Sequence, residues 1–182
     1  MKTIELTKDL LTGIRDIDDQ HREIFDWFNT LIKSADAPAD HRDVKRALVF
    51  LTGYVGFHFA AEELAMDIFG YDGLDRHRQQ HHYFRNLILD IRKKAGEVGL
   101  TEDLRGKLHR MLGEWVVHHI GTEDKALAAF LVRNDAEEPS LPTVDDLRSA
   151  GTEWLDPDHV EIKPIFDGEL SQTELKIRLK NR

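Results

Sequence analysis

One stripe of residues constrains this chain more than any other feature. Val44, Leu48, Leu51 and Val55 recur at steps of four, three and four, and the series continues as His58, Glu62 and Met66. That spacing places all seven on one face of a helix. The face begins apolar and ends with an imidazole and a carboxylate one turn apart. A carboxylate on a core-facing stripe costs several kcal/mol unless something compensates it. The fold must therefore bring compensating groups to the depth of His58 and Glu62.

Three other stretches carry such groups at helical spacing. His21 leads Ile24, Phe25, Phe28, Leu31 and Ile32, which predicts a helix over 19–34 with Asp18 as its N-cap. Asp40 is the expected cap of the second helix. His77 and His81 lead Phe84, Ile88, Ile91 and Ala95 on a third helix, capped by Asp75 and ended by Gly96 and Gly99. A fourth, capped by Thr101, carries Leu104, Leu108, Met111, Leu112, Trp115 and then His119. The metal-type residues lie early in the first and third helices and late in the second and fourth. Alternating helix directions bring them to one end. The short connections predict an all-α, antiparallel up-down-up-down four-helix bundle. Gly53 and Gly56 are expected to admit a close neighbouring helix.

His119 and Asp124 conflict with a regular helix. Five positions apart, they point about 140° away from each other. Both can aim inward only if the helix breaks or widens between them, and Gly121 is the expected place.

Residues 1–17 read as an extended arm, and residues 1–134 as the bundle domain. Residues 135–182 form a C-terminal extension of mixed or irregular structure, holding four of the five prolines. A short helix over 143–149 and a hairpin of 160–166 with 175–179 are expected there, packed on the bundle or offered to a protein partner.

Composition excludes much else. Without cysteine there is no disulfide, iron–sulfur cluster or thiol nucleophile, which fits a cytoplasmic location. The net charge of -9 argues against nucleic acid and anionic membrane surfaces. No apolar run is long enough to span a membrane. Glu5, Lys8 and Asp9 interrupt any leader-like segment. No repeated apolar outer face demands a dimer, so a monomer is expected.

Ten histidines direct attention to metal. The inward set is His21, His58, Glu62, His77, His81, His119 and Asp124. Imidazole suits iron, and a carboxylate can bridge two cations by giving one oxygen to each. Two six-coordinate ions that share both carboxylates and a solvent bridge are filled by this set except for one position. Structural zinc fits poorly, because it takes four ligands.

Several motifs resemble bacterial hemerythrin domains. They are Asp18-Asp19-Gln20-His21, Tyr54-Val55 before His58-Phe59-Ala60-Ala61-Glu62-Glu63 and Met66, His77 through His81 with Phe84, and Trp115 through His119-Ile120 to Asp124. The resemblance covers about residues 4–131. It implies two iron ions, one held by His77, His81 and His119 and the other by His21 and His58. Glu62, Asp124 and an oxo or hydroxo group would bridge them. It also implies that dioxygen is the ligand, taken at the two-histidine iron, and that the protein is not an enzyme. Bacterial members usually carry a tryptophan near the N-terminus, where this chain has Ile4 or Leu6.

Glu63, His82 and His118 fall off the inward stripes and are expected to flank the site or face solvent. His41, His109 and His159 are expected to be solvated. Trp115, Val116, Leu112, Phe59 and Phe25 are candidates for a dry pocket. The expected function is reversible dioxygen binding for storage, delivery or sensing. A di-iron redox enzyme, with oxidase, peroxide or nitric-oxide chemistry, is the alternative. Oxidase bundles, however, use Glu-x-x-His pairs, and Ala65 and Met66 stand where such a histidine would be. A third reading is a regulatory oxygen- or redox-sensing module acting through the C-terminal tail.

Overall fold

The computed structural model describes residues 3–34, 41–134, 140–143 and 146–147. The fold is an all-α bundle. Its first three helices are α1 (Arg15–Ser34), α2 (His41–Phe69) and α3 (Leu74–Val98). The fourth arm is one unbroken helical path with two widened stretches. It runs through α4 (Glu102–Arg110), a π-helical stretch (Met111–Val116), α5 (Val117–His119), a second π-helical stretch (Ile120–Asp124) and α6 (Lys125–Asn134). Among the described residues, no helix is long and apolar enough to cross a membrane.

The predicted stripes form the core. Ile24, Phe28, Leu31, Leu48, Leu51, Val55, Phe84, Ile88, Ile91, Leu104 and Leu108 are buried in one cluster. The side chains of Val44 and Leu112, and Asp40 as a cap, lie outside the described residues. At the far end a second cluster gathers Ile14, Ile17, Ala65, Met66, Leu127 and Leu131. The ring of polar site residues lies between the two.

The helix ends differ from expectation in places. α1 begins at Arg15, not near 19, because Asp18 serves the preceding turn. Its carboxylate accepts hydrogen bonds from the Thr12 N–H (2.7 Å), the Thr12 hydroxyl (2.8 Å) and the Gly13 N–H (3.2 Å). α3 begins at Leu74, so Asp75 lies in its first turn and Gly73 occupies the cap. A Cβ on Gly73 would stand 2.5 Å from the Tyr71 ring. Thr101 caps α4 as expected, accepting from the Leu104 N–H at 3.3 Å. Gly99, at φ +76, ends α3, whereas Gly96 continues it. No neighbour lies within 4 Å of where a Gly53 Cβ would be, so that glycine admits no close approach.

The N-terminal arm lies on the bundle. Asn29 grips the Ile4 backbone, accepting its N–H at 2.9 Å and donating to its carbonyl at 2.8 Å. Ile4 and Leu6 pack against the core, and Leu10 is buried in it. Part of the extension also packs on the bundle, through Leu141 and Leu147. The hairpin predicted from residues 160–166 and 175–179 lies outside the described residues.

Candidate metal centre

Four helical arms deliver seven buried polar side chains to one place. α1 brings His21, α2 brings His58 and Glu62, and α3 brings His77 and His81. The fourth arm brings His119 and Asp124. None is more than 2% exposed. His119 ends α5 and Asp124 ends the second π stretch. The wide turn solves the angular conflict: at i→i+5 spacing the two residues return to nearly the same face.

The seven form two overlapping sets. Glu62, His77, His81, His119 and Asp124 present ligand atoms that all lie within 4.8 Å of one another, and so do His21, His58, Glu62 and Asp124. The two carboxylates belong to both. Individual separations are shorter. Asp124 Oδ1 lies 3.1 Å from Nε2 of both His77 and His119, and Asp124 Oδ2 lies 3.1 Å from His21 Nε2. Glu62 Oε2 lies 3.3, 3.5 and 3.8 Å from Nε2 of His81, His77 and His58. Ligands that share an octahedral metal at about 2.1 Å sit about 3 Å apart.

The bonds that orient these histidines show what the cluster needs. Three Nδ1 atoms are engaged on the far side of their rings: His58 with Gln20 Oε1 at 2.8 Å, His81 with Glu63 Oε1 at 3.0 Å, and His119 with Gln80 Oε1 at 3.0 Å. All three acceptors are oxygens, so each Nδ1 carries the proton and each Nε2 turns a lone pair inward. His81 Nε2 and His119 Nε2 then face each other at 3.1 Å. Two lone pairs at that distance repel unless a cation lies between them. Both oxygens of Glu62 and of Asp124, and both nitrogens of His21 and of His77, are buried with no aligned hydrogen-bond partner among the described residues. Buried polar atoms are seldom left so. This donor set fits metal ions.

Electrostatics agree. Burial and Asp124 push the Glu62 carboxyl up, but the imidazoles around it hold it below the usual carboxylate range. Burial opposes ionisation of Asp124 too, and His119, His21 and His77 outweigh it. Burial lowers His58 to about 4, so it stays neutral. Burial acts the same way on His77, yet the two carboxylates raise it to about 10. The two anions thus draw positive charge into the centre.

Around the site, the Phe59 ring stacks on His81 at 3.8 Å and Trp115 stacks on His119 at 4.4 Å. A cavity beside the cluster is lined by His21, Ile24, Val55, His58, Phe59, Phe84, Trp115, Val116, His119, Ile120 and Asp124. Of the expected pocket residues, Trp115, Val116 and Phe59 line it; Phe25 is buried in the core but does not. His82 and His118 are exposed, as their angles predict, and His109 is half-buried instead of solvated. His41 and His159 lie outside the described side chains.

Sequence reasoning gave no role to Gln20, quoted only within its motif, or to Gln80; both stand at helical steps from inward residues, Gln20 four before Ile24 and Gln80 three after His77, but the histidine each one bonds lies on another helix. It also missed buried Glu123, which accepts from Arg76 Nη2 at 2.8 Å and Nε at 3.1 Å and ties the second π stretch to α3.

A family model described as the hemerythrin HHE cation binding domain matches residues 12–131. The chain is 34% identical over 116 residues to a bacteriohemerythrin of Methylococcus capsulatus, covering 63% of this chain and 85% of that protein. It is 33% identical over 122 residues to a bacteriohemerythrin of Stenotrophomonas maltophilia, with 66% and 76% covered. For a bacteriohemerythrin of Pseudomonas paraeruginosa the identity is 32% over 118 residues, covering 64% and 73%.

Proposed function

Taking the chain as what the match over residues 12–131 makes it, a member of the hemerythrin family, we propose that it binds dioxygen reversibly at a non-haem di-iron centre. His77, His81 and His119 would hold one iron, His21 and His58 the other, and Glu62 and Asp124 both. The observation that carries this reading is the overlap of the two sets: only the two carboxylates are common to them. A single cation would leave part of the set unused. Two iron ions would supply the paired electrons that reversible dioxygen binding draws on.

The chain's own residues do the rest. Gln20, Glu63 and Gln80 hold the Nε2 lone pairs inward. Glu62 and Asp124 would offset part of the charge of two cations. Phe59, Phe84, Trp115, Val116 and Ile120 line the cavity with apolar surface and keep water and protons away. With two histidines on one side against three on the other, the His21/His58 side would have room for the ligand, and both of these histidines, with His119, line the cavity. Ala65 and Met66 are fully buried and offer no ligand of the Glu-x-x-His kind. This favours a binding protein over an oxidase. Residues 1–134 act as the oxygen-binding bundle, monomeric and cytoplasmic, and residues 135–182 as an added extension.

Anaerobic reconstitution with ferrous iron tests the proposal. Two irons per chain are expected, with a visible charge-transfer band that grows in air and vanishes on deoxygenation. One zinc per chain, or a band that does not reverse, rejects it.

A further inference from the structure

At the height of the centre, α2 is buried on both sides. Inward it carries His58 and Glu62, yet Phe57, Ala60, Ala61 and Ala65 are buried as well. The C-terminal extension supplies part of that cover. Leu147 is 0% exposed and forms a cluster with Phe57 and Ala60, against which Leu64 packs. Leu141 lies in the cluster that holds Ala61, Ala65 and Met66.

Directed bonds fix both anchors. The Leu141 N–H donates to Asp16 Oδ2 at 3.1 Å. The Thr143 N–H and hydroxyl donate to Asp146 Oδ2 at 2.8 and 2.6 Å, and the Asp146 N–H donates back to Thr143 Oγ1 at 3.3 Å. This reciprocal cap closes a turn whose Leu147 N–H donates to the Thr143 carbonyl at 3.0 Å. A single turn does not hold by itself in water. Its order comes from seating Leu147 on α2. The family match ends at residue 131, so this strap is an addition to the matched unit.

Resting on the reading of His58 and Glu62 as iron ligands, we infer that the extension is coupled to the metal centre: docking of Leu141 and Leu147 and filling of the site stabilise each other. The same turns of α2 carry both functions, ligands on one face and the leucine socket on the other. Without a cation, buried carboxylates and inward lone pairs face one another and loosen those turns. Phe57, Ala60 and Leu64 ride on the same backbone, and a close-packed socket does not survive such loosening intact. Linkage makes the effect mutual: the free energy by which a seated strap favours the filled site equals that by which the filled site favours the strap. The centre's occupancy is thereby read out by the seating of Leu141 and Leu147.

Amide hydrogen exchange on the full-length chain, metal-free and loaded anaerobically with ferrous iron, tests the coupling. The Leu141 and Leu147 amides should exchange about fivefold or more slower when iron is bound. Leu147→Asp and the milder Leu147→Ala should lose iron to a chelator about fivefold or more faster than the parent. Val132→Asp, at a site 55% exposed, should lose it at the parent rate. Equal exchange in the two states, or unchanged iron loss in both Leu147 variants, overturns the inference. If the exchange difference is found in a protein with no reversible colour in air, the dioxygen reading falls and the coupling stands.

Discussion

His119 Nε2 and Asp124 Oδ1 lie 3.1 Å apart, although five positions separate the two residues along one helical path. On α2, His58 and Glu62 reach the same centre from four positions apart. One arm meets the chemistry with a regular turn and the other with a widened one.

Asp124 belongs to both ligand sets, so its charge should matter more than its shape. Asp124→Asn keeps the volume and removes an anion. Metal analysis after anaerobic loading is expected to find fewer than two irons per chain. Two retained irons would show that the carboxylate is not shared.

The adjacent histidines 118 and 119 should differ sharply in consequence. His118 is exposed, and its carbonyl accepts from the Thr122 hydroxyl at 2.8 Å. His118→Ala is expected to leave iron loading and the reversible band intact. His119→Ala, inside the centre, should abolish the band, as should His58→Ala. The opposite pair of results would reverse the ligand assignment.

Gln20 orients His58 through the bond at 2.8 Å. Gln20→Leu leaves the ligand in place but frees its ring. Groups of this kind typically change metal affinity by roughly 10- to 100-fold. Iron affinity is expected to fall within that range while the metal-free protein melts within a few degrees of the parent. Competition with a chelator measures the first and circular dichroism the second.

The metal-free protein should melt highest near pH 6.5. His77, raised to about 10 by the carboxylates against the effect of burial, contributes stability that is full below its unfolded pKa of 6.5 and lost as pH climbs toward 10. His58, lowered to about 4 by burial, acts in the other direction: between 6.5 and 4 only the unfolded chain binds that proton. Glu62 and Asp124, held below their ordinary range, add a loss at still lower pH. Calorimetry of the metal-free form is expected to show the melting temperature falling on both sides of about pH 6.5. Iron loading should flatten the alkaline side, because the cation replaces the His77 proton. A metal-free melting temperature that rises toward pH 9 would contradict this.

Phe59 stacks on His81 and lines the cavity. Phe59→Ala is expected to cost roughly 3–5 kcal/mol and to let water reach the centre. In denaturant titrations the loss appears as a lower midpoint. In air, the iron-loaded variant should lose its reversible colour faster than the parent.

The apolar stripes and the ligands were legible because both follow the helical period. The steps from Leu48 to Glu62 and from His77 to Ile91 could be counted without knowledge of neighbours, and so could the angular conflict between His119 and Asp124. The widening at Met111–Val116 was not legible, since the stripe read there, Leu108, Met111, Leu112, Trp115 and His119, keeps regular helical steps; only the fold shows that Met111 and Val116, five positions apart, are both buried. Asp18 misled because a carboxylate before a helix can cap either the helix or the turn ahead of it, and only the position of Thr12 decides. Gln20, Gln80 and Glu123 were hidden for another reason. They act across helices, through contacts that sequence spacing does not encode.

The second π-helical stretch has a consequence for phase. The position four beyond His119 holds Glu123, a carboxylate already engaged by Arg76. What the extra residue sets is the phase of everything after it: Leu127, Ala128 and Leu131, three, four and seven positions past Asp124, follow on that carboxylate's own face. These three are buried with Ile14, Ile17 and Met66. The widened turn therefore resets the arm once, and the reset stripe serves both the centre, through Asp124, and the apolar floor beneath it. Closing the floor and holding the metals thus depend on the same added residue.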